Sequence, residues 1–189
     1  AEYEVQDGQA SRADTFCSTM GGAVRVAGDD CTTLSTPTLP FVVGFDGGAG
    51  DTGKLVADVR ALRDRYDFAA DTVEAIGDIV STGEELLREA DPDAEPSDEL
   101  VAELGDLMNI NHGLLSALGV SSRSLDTMVW AAREAGAEGA KLTGAGGGGC
   151  IVALDRTEET QTSLKYTPGC EDSFRAELAT EGVRVEEDE

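Results

Sequence analysis

Lys141-Leu-Thr-Gly-Ala-Gly-Gly-Gly-Gly-Cys150 decides how the rest of this chain is read. Gly144 and Gly146 through Gly149 put five glycines within six positions. Ala140–Thr143 stands on one side and the apolar run Cys150-Ile-Val-Ala-Leu154 on the other. A glycine run between two strand-like segments is a turn, not a tether. Glycine has no Cβ and takes φ > 0 without penalty, so backbone can come very close to whatever the turn faces. Such a turn either closes a hairpin that simply needs glycines, or gathers backbone N–H groups around an anion, usually phosphate.

The 189 residues suffice for one domain or part of a larger protein, and their apolar content allows a real core. Charge is the unusual quantity: 38 acidic residues face 14 basic ones, a net −24. Lys54, Lys141 and Lys165 are the only lysines. The acid is spread over the chain, with a terminal run only at Glu186–Glu189. Self-repulsion of this size destabilises a compact state in dilute buffer. At molar salt the Debye length falls to ~3 Å and the repulsion is screened. The expectation is a cytoplasmic protein of a halophile. Without a basic patch, neither nucleic acid nor an anionic membrane is expected as a partner.

Cys17, Cys31, Cys150 and Cys170 contain no C-x-x-C spacing, and His112 is the only histidine. Free thiols are expected, with no metal ligands and no disulfide framework. No apolar stretch approaches the ~20 residues of a membrane span. The acidic start Ala1-Glu-Tyr-Glu4 does not read as a signal peptide. It also lacks Met, which is read as the mark of a fragment.

Residues 21–27 alternate as a strand, Gly28-Asp-Asp30 is a turn, and Phe41–Phe45 reads as a buried strand. A helix over 51–66 presents Leu55, Val59, Leu62 and Tyr66 on one face; a second over 69–90 points Val73, Ile76, Val80 and Leu87 inward. Ser97 is the expected N-cap of a helix ended by Gly119, with Leu100, Leu104, Leu107, Asn111, Leu114 and Leu118 on its inner face. A fourth helix covers 124–135. After the glycine hairpin the pattern predicts a short helix near 173–180 and a closing strand over 183–185. Four consecutive helices flanked by strands indicate an α+β fold, not an alternating βαβ sheet.

Gly48-Ala-Gly-Asp-Thr-Gly-Lys-Leu55 nearly spells a P-loop between a strand and a helix, and Leu154-Asp155 could pass for a second nucleotide motif. Leucine at 55 cannot reach a metal as the motif's hydroxyl does. The stronger reading is a strand–turn–helix with Asp51 or Thr52 as N-cap. In Gly8-Gln-Ala-Ser-Arg-Ala-Asp14, the aspartate precedes a helical turn and reads locally as a cap.

Taken together these segments resemble the GHMP kinases, and within them the mevalonate kinases. Lys141–Cys150 is similar to the family's third motif. Met108-Asn-Ile-Asn-His-Gly-Leu-Leu115, Leu118-Gly-Val-Ser121, Leu125-Asp126 and Ala131–Gly136 follow the mevalonate kinases at nearly every step. Ala10-Ser-Arg-Ala-Asp14-Thr15 with Gly21-Gly22 resembles the catalytic-aspartate segment of archaeal members. The resemblance implies transfer of the ATP γ-phosphoryl group to the 5-hydroxyl of mevalonate. It implies Asp14 as the catalytic carboxylate, and Gly144, Ala145, Gly146 and Gly147 as backbone donors to phosphate or substrate. Thr52 or Asp51, at a helix start, is implied as a substrate contact, and Mg²⁺ as the ion accompanying ATP. It also allows a homodimer. His112 and Asn111 are weighed as structural groups first and functional ones second.

Family members carry, before the aspartate segment, a catalytic lysine and a P-x-x-x-G-L-G-S-S-A-like phosphate loop that supplies Mg²⁺ ligands. Nothing in these residues matches either, and Lys54 and Lys141 lie in the wrong places to stand in for the lysine. The resemblance therefore implies the end of an N-terminal kinase domain over 1–36, then a C-terminal domain over 37–189 with helices packed on an antiparallel ferredoxin-like sheet. Phe16, Val24 and Val26 are then expected to be partly exposed, and the isolated piece inactive. The alternatives are a kinase for phosphomevalonate or another small alcohol, and a non-catalytic ligand-binding remnant.

Overall fold

The structure, a computed structural model, describes residues 12–184. It contains two compact units, one of residues 12–38, 84–96 and 178–184, the other of residues 39–83 and 97–177. The sequence places its single division two residues before the first of these boundaries. It does not foresee that 84–96 and 178–184 group with the early residues.

The smaller unit holds helix α1 (Arg12–Met20) and the hairpin of strands β1 (Ala23–Ala27) and β2 (Asp30–Leu34). The strands pair antiparallel from Ala23↔Leu34 to Ala27↔Asp30, and Gly28 turns the chain at φ 61°. Returning chain lies along the end of α1, where Gly22 N–H donates to the Ala179 carbonyl at 2.6 Å and Val183 N–H to that of Thr19 at 3.1 Å. Arg25 pairs with Glu84 at 2.6 Å. No residue of α1 is buried, and Phe16, Val24 and Val26 are all partly exposed, as expected.

The larger unit runs β3 (Phe41–Phe45), α2 (Thr52–Arg65), α3 (Asp67–Glu89, whose last turn and a half belongs to the smaller unit), α4 (Asp98–Ala117), α5 (Arg123–Glu134), β4 (Gly139–Leu142), β5 (Cys150–Leu154), α6 (Glu159–Lys165) and β6 (Asp172–Ala176). The strand order β4-β5-β3-β6, antiparallel at every pairing, is the split β-α-β-β-α-β sheet of ferredoxin-like domains. The expected architecture is therefore present. The P-loop reading falls here, because that motif serves a sheet built of parallel βαβ units.

Caps follow the local chemistry. Asp51 accepts from Lys54 N–H and starts α2, Ser97 accepts from Leu100 N–H and starts α4, and Ser122 accepts from Leu125 N–H and starts α5. The core lies between α5 and the sheet, where Leu125, Met128, Val129 and Ala132 meet Val42, Leu142, Ile151 and Ala153. Helix α4 approaches β4 closely because both partners at the crossing are glycines. A Cβ on Gly139 would collide with Gly105 backbone, and a Cβ on Gly105 would sit 2.6 Å from the Glu138 carbonyl carbon.

Several expectations are corrected. The short helix is Glu159–Lys165, and the predicted helix near 173–180 is instead strand β6 followed by irregular chain. Ser173 and Phe174 pair with Gly44 and Val43, so cross-strand bonding overrides a locally helical pattern. Residues 183 and 184 are not strand, and 185 lies outside the described residues. Strand β3 is not buried throughout but alternates, with Val42 and Gly44 buried and Phe41, Val43 and Phe45 half-buried. Val80 is 52% exposed, not inward, since α3 has little packed over that turn. Asp14 is not a cap but sits inside the first turn of α1, where its charge favours the helix dipole.

Candidate active site

The glycine turn joins β4 to β5, the first and second strands of the sheet. Gly144, Gly146, Gly147, Gly148 and Gly149 all have positive φ, from 74° to 146°. No residue with a Cβ holds such a sequence of angles without strain. Backbone packing is equally demanding: a Cβ on Gly146 would strike the Val120 carbonyl, and a Cβ on Gly50 would strike that of Gly146.

Three sets of bonds hold the turn. Thr143 N–H donates to Cys150 O at its base at 3.0 Å, and Gly147 N–H donates to Val120 O at 2.8 Å. The third is Asp46, at the end of β3. Its Oδ1 accepts Gly149 N–H at 2.7 Å and Gly48 N–H at 2.8 Å, and its Oδ2 accepts a short bond from the Ser124 hydroxyl. Asp46 N–H in turn donates to Gly149 O at 2.9 Å. Burial opposes charge on Asp46, but the bonds from Ser124, Gly149 and Gly48 outweigh it and hold the carboxyl below its ordinary range. The amides of Gly144, Ala145, Gly146 and Gly148 meet no acceptor among the described residues. Gly147, expected as a donor to ligand, has its amide committed to Val120.

The strand leading into the turn is clamped by α4. His112 is buried; its Nδ1 accepts Leu142 N–H at 3.2 Å and its Nε2 lies 3.1 Å from Asp126 Oδ1. Accepting at Nδ1 places the proton on Nε2, so the ring is neutral and donates to Asp126. Burial pushes the His112 pKa down, with Arg133 and Lys141 adding to it, against the opposing pull of Asp126. Ser121 also donates to Asp126, at 2.5 Å, so serine and histidine share one carboxylate and do not bond to each other. Nucleophile and base are therefore not aligned for serine catalysis. Asn109 accepts from Ala140 N–H and donates to Glu138 O, securing the other end of β4. The structural reading of His112 holds.

Thr52 is the exposed first residue of α2, two residues from Gly50, whose Cα lies against the turn. Leu55 packs on Gly147, and the buried Asp155 accepts from Thr157 and Thr160 at the start of α6, so both residues of the P-loop reading have structural tasks. Lys141 donates to Leu142 O at 2.8 Å, and burial lowers its pKa. The structure thus gathers Gly144, Ala145, Gly146 and Gly147 in one turn of the larger unit, whereas Thr52 is near it only through Gly50, two residues away. Asp14 is exposed on α1 of the smaller unit. Asp46, Ser124 and Val120 were missed by sequence reasoning. The only available signal was that Asp46 is an acid ending an apolar strand.

Among the described residues no group of three or more His, Cys, Asp or Glu side chains could hold a metal ion, and no helix is long and apolar enough to cross a membrane. All four cysteines are free thiols.

Residues 97–166, which contain this glycine turn, match the family described as GHMP kinases C terminal. The matched residues run from the N-cap of α4 to the end of α6 and include the whole glycine turn. Within that family, the similarity is to mevalonate kinases. The chain is 43% identical over 187 residues to the mevalonate kinase of Pyrococcus horikoshii, across 95% of this chain and 53% of that protein. Among solved structures, L. major mevalonate kinase in complex with R-mevalonate aligns with a TM-score of 0.74 at 26% identity, over 94% of this chain and 56% of the other. The Methanococcus jannaschii mevalonate kinase aligns with a TM-score of 0.73 at 25% identity, over 94% and 53%. The chain spans about half the length of the relatives it matches.

Proposed function

We propose that the protein containing this chain phosphorylates mevalonate at its 5-hydroxyl with ATP, a step of isoprenoid, and so of lipid, biosynthesis. The observation that carries this reading is 43% identity to a mevalonate kinase along 95% of the chain, including the whole glycine turn. The open amides of Gly144, Ala145, Gly146 and Gly148 suit phosphoryl oxygens. They are fixed dipoles that need no reorganisation when charge arrives, and phosphoryl transfer is catalysed mostly by positioning and electrostatic stabilisation. ATP supplies the phosphoryl group when bound. Thr52 contributes a hydroxyl to the substrate. Asp14, a compact carboxylate ionised at neutral pH, accepts or polarises the proton of the attacking hydroxyl. Mg²⁺ belongs to the same reading, but the described residues offer it no ligand set, and none of these steps passes through it.

The protein works in a cytoplasm of high salt, as its net −24 indicates. A homodimer belongs to the reading and is checked by light scattering. The assay is ADP release by the whole gene product with mevalonate or phosphomevalonate. Turnover with mevalonate is expected, and turnover with phosphomevalonate alone overturns the substrate assignment. Asp14→Asn is expected to lower kcat at least ~10²-fold, the usual contribution of a positioned acid or base, with unfolding unchanged. Full activity of this variant removes Asp14 from the chemistry.

A further inference from the structure

Asp46 lies in the site yet belongs to no part of the reaction above. A carboxylate beside an anion-binding turn opposes the anion unless its own charge is already satisfied. Here it is: three donors converge on it, from the main chain of Gly48 and Gly149 and from the Ser124 hydroxyl. Gly48 is a local partner, two residues away, but Gly149 and Ser124 are 103 and 78 residues distant in sequence. Asp46 therefore ties together the end of β3, the start of α5 and the far end of the glycine turn. Gly148 lies against the same carboxylate, where a Cβ would be 3.6 Å from Oδ2.

A turn of five glycines has more freedom than any other six-residue segment, and ordering it carries a large entropic cost. Val120 restrains its middle through Gly147, and Asp46 restrains its end through Gly149. The bonds also divide the amides. Gly147 and Gly149 are spent on the protein, whereas the amides of Gly144, Ala145, Gly146 and Gly148 have no acceptor among the described residues.

We propose that Asp46 is a positioning residue for phosphate capture. By taking up Gly149 N–H and anchoring the turn to Ser124, it presets Gly144, Ala145, Gly146 and Gly148 as the amides that receive the nucleotide phosphates. This rests on the kinase reading for the identity of the ligand, but not for the geometry. The role is one of shape. Asparagine at 46 keeps an oxygen for both glycine amides and an amide group for Ser124, whereas alanine keeps neither.

The test is made on the whole gene product labelled with [¹⁵N]glycine, with ATP as the probe, alongside steady-state kinetics. In the wild type, ATP is expected to shift the Gly144, Gly146 and Gly148 amide signals. In Asp46→Ala, Gly149 is expected to lose its protection from exchange, and the KM for ATP to rise tenfold or more, about the value of one charge-assisted hydrogen bond. Asp46→Asn is expected to recover most of that loss. Should Asp46→Ala fail to fold, Ser124→Ala removes a single donor, and it is expected to move the Gly149 signal and give a smaller rise in KM. An unchanged KM in Asp46→Ala, or in Ser124→Ala with Gly149 unmoved, overturns the proposal. So does an Asp46→Asn as impaired as Asp46→Ala, because the charge itself is then used. Turn amides indifferent to ATP while mevalonate is still turned over refute this inference and leave the proposed function standing. A response of those amides without mevalonate turnover does the reverse.

Discussion

Replacing Gly105 with alanine sets helix propensity against packing, and the structure predicts which wins. Gly105 lies inside α4, where alanine is intrinsically better than glycine by ~1 kcal/mol. Its Cβ, however, would lie 2.6 Å from the carbonyl carbon and oxygen of Glu138 and 2.9 Å from the Glu138 Cβ. These are backbone neighbours with no rotamer to escape into, and the shortfall is roughly 1 Å from the ~3.5–4.0 Å at which carbon atoms rest. Helix α4 must retreat from β4. Overpacking of this kind costs about 1–3 kcal/mol. Retreat also strains the two bonds of Asn109 to Glu138 and Ala140, each contributing ~0.5–1.5 kcal/mol. After the propensity gain, Gly105→Ala is expected to lose about 2 kcal/mol, or ~4–8 °C in Tm for a chain of this size. Gly113, two turns further along the same helix, would place its Cβ in open space. Gly113→Ala is expected to gain up to ~1 kcal/mol. Both are measured by thermal unfolding followed by circular dichroism at one molar salt concentration. A Gly105→Ala protein as stable as Gly113→Ala would refute the account of how α4 seats on the sheet, and with it the clamp that His112 places on the turn.

Acid is expected to destabilise the fold in two stages. His112 has a folded pKa below its ordinary value, so the unfolded chain binds more protons; its contribution is complete above about 6.5 and is lost as pH falls below that. Asp46 is likewise held down, and its contribution fades only at lower pH, through its folded pKa. Urea titrations from pH 8 to 4 should show the first stage, and His112→Gln should flatten it; an equal slope in both proteins would contradict the neutral, buried ring. Tm is expected to rise steeply between dilute buffer and molar KCl as a net −24 is screened, and a flat profile counts against adaptation to salt. Asp155→Ala strands the buried Thr160 N–H and uncaps α6, for an expected loss of ~1–3 kcal/mol in denaturant unfolding. A loss below a few tenths would mean that water replaces the carboxylate.

Local chemistry made much of this protein legible from the chain alone. Ser97 and Asp51 cap their helices because a short oxygen-bearing side chain beside free N–H groups needs no distant partner. The hydrophobic spacing of α4 and the glycines after Thr143 likewise read correctly, since a 3.6-residue stripe and a run of positive φ are written in adjacent residues. Tertiary structure decided the rest. Residues 172–176 are a strand only because β3 offers an edge to pair with, and nothing within the segment itself says so. Asp46 became part of the site only when folding brought Ser124 and Gly149 to its carboxylate from 78 and 103 residues away. Which glycine amides remain open is likewise decided by Val120 and Asp46. A hydrogen bond depends on distance in space, and a linear order of residues contains that distance only for near neighbours.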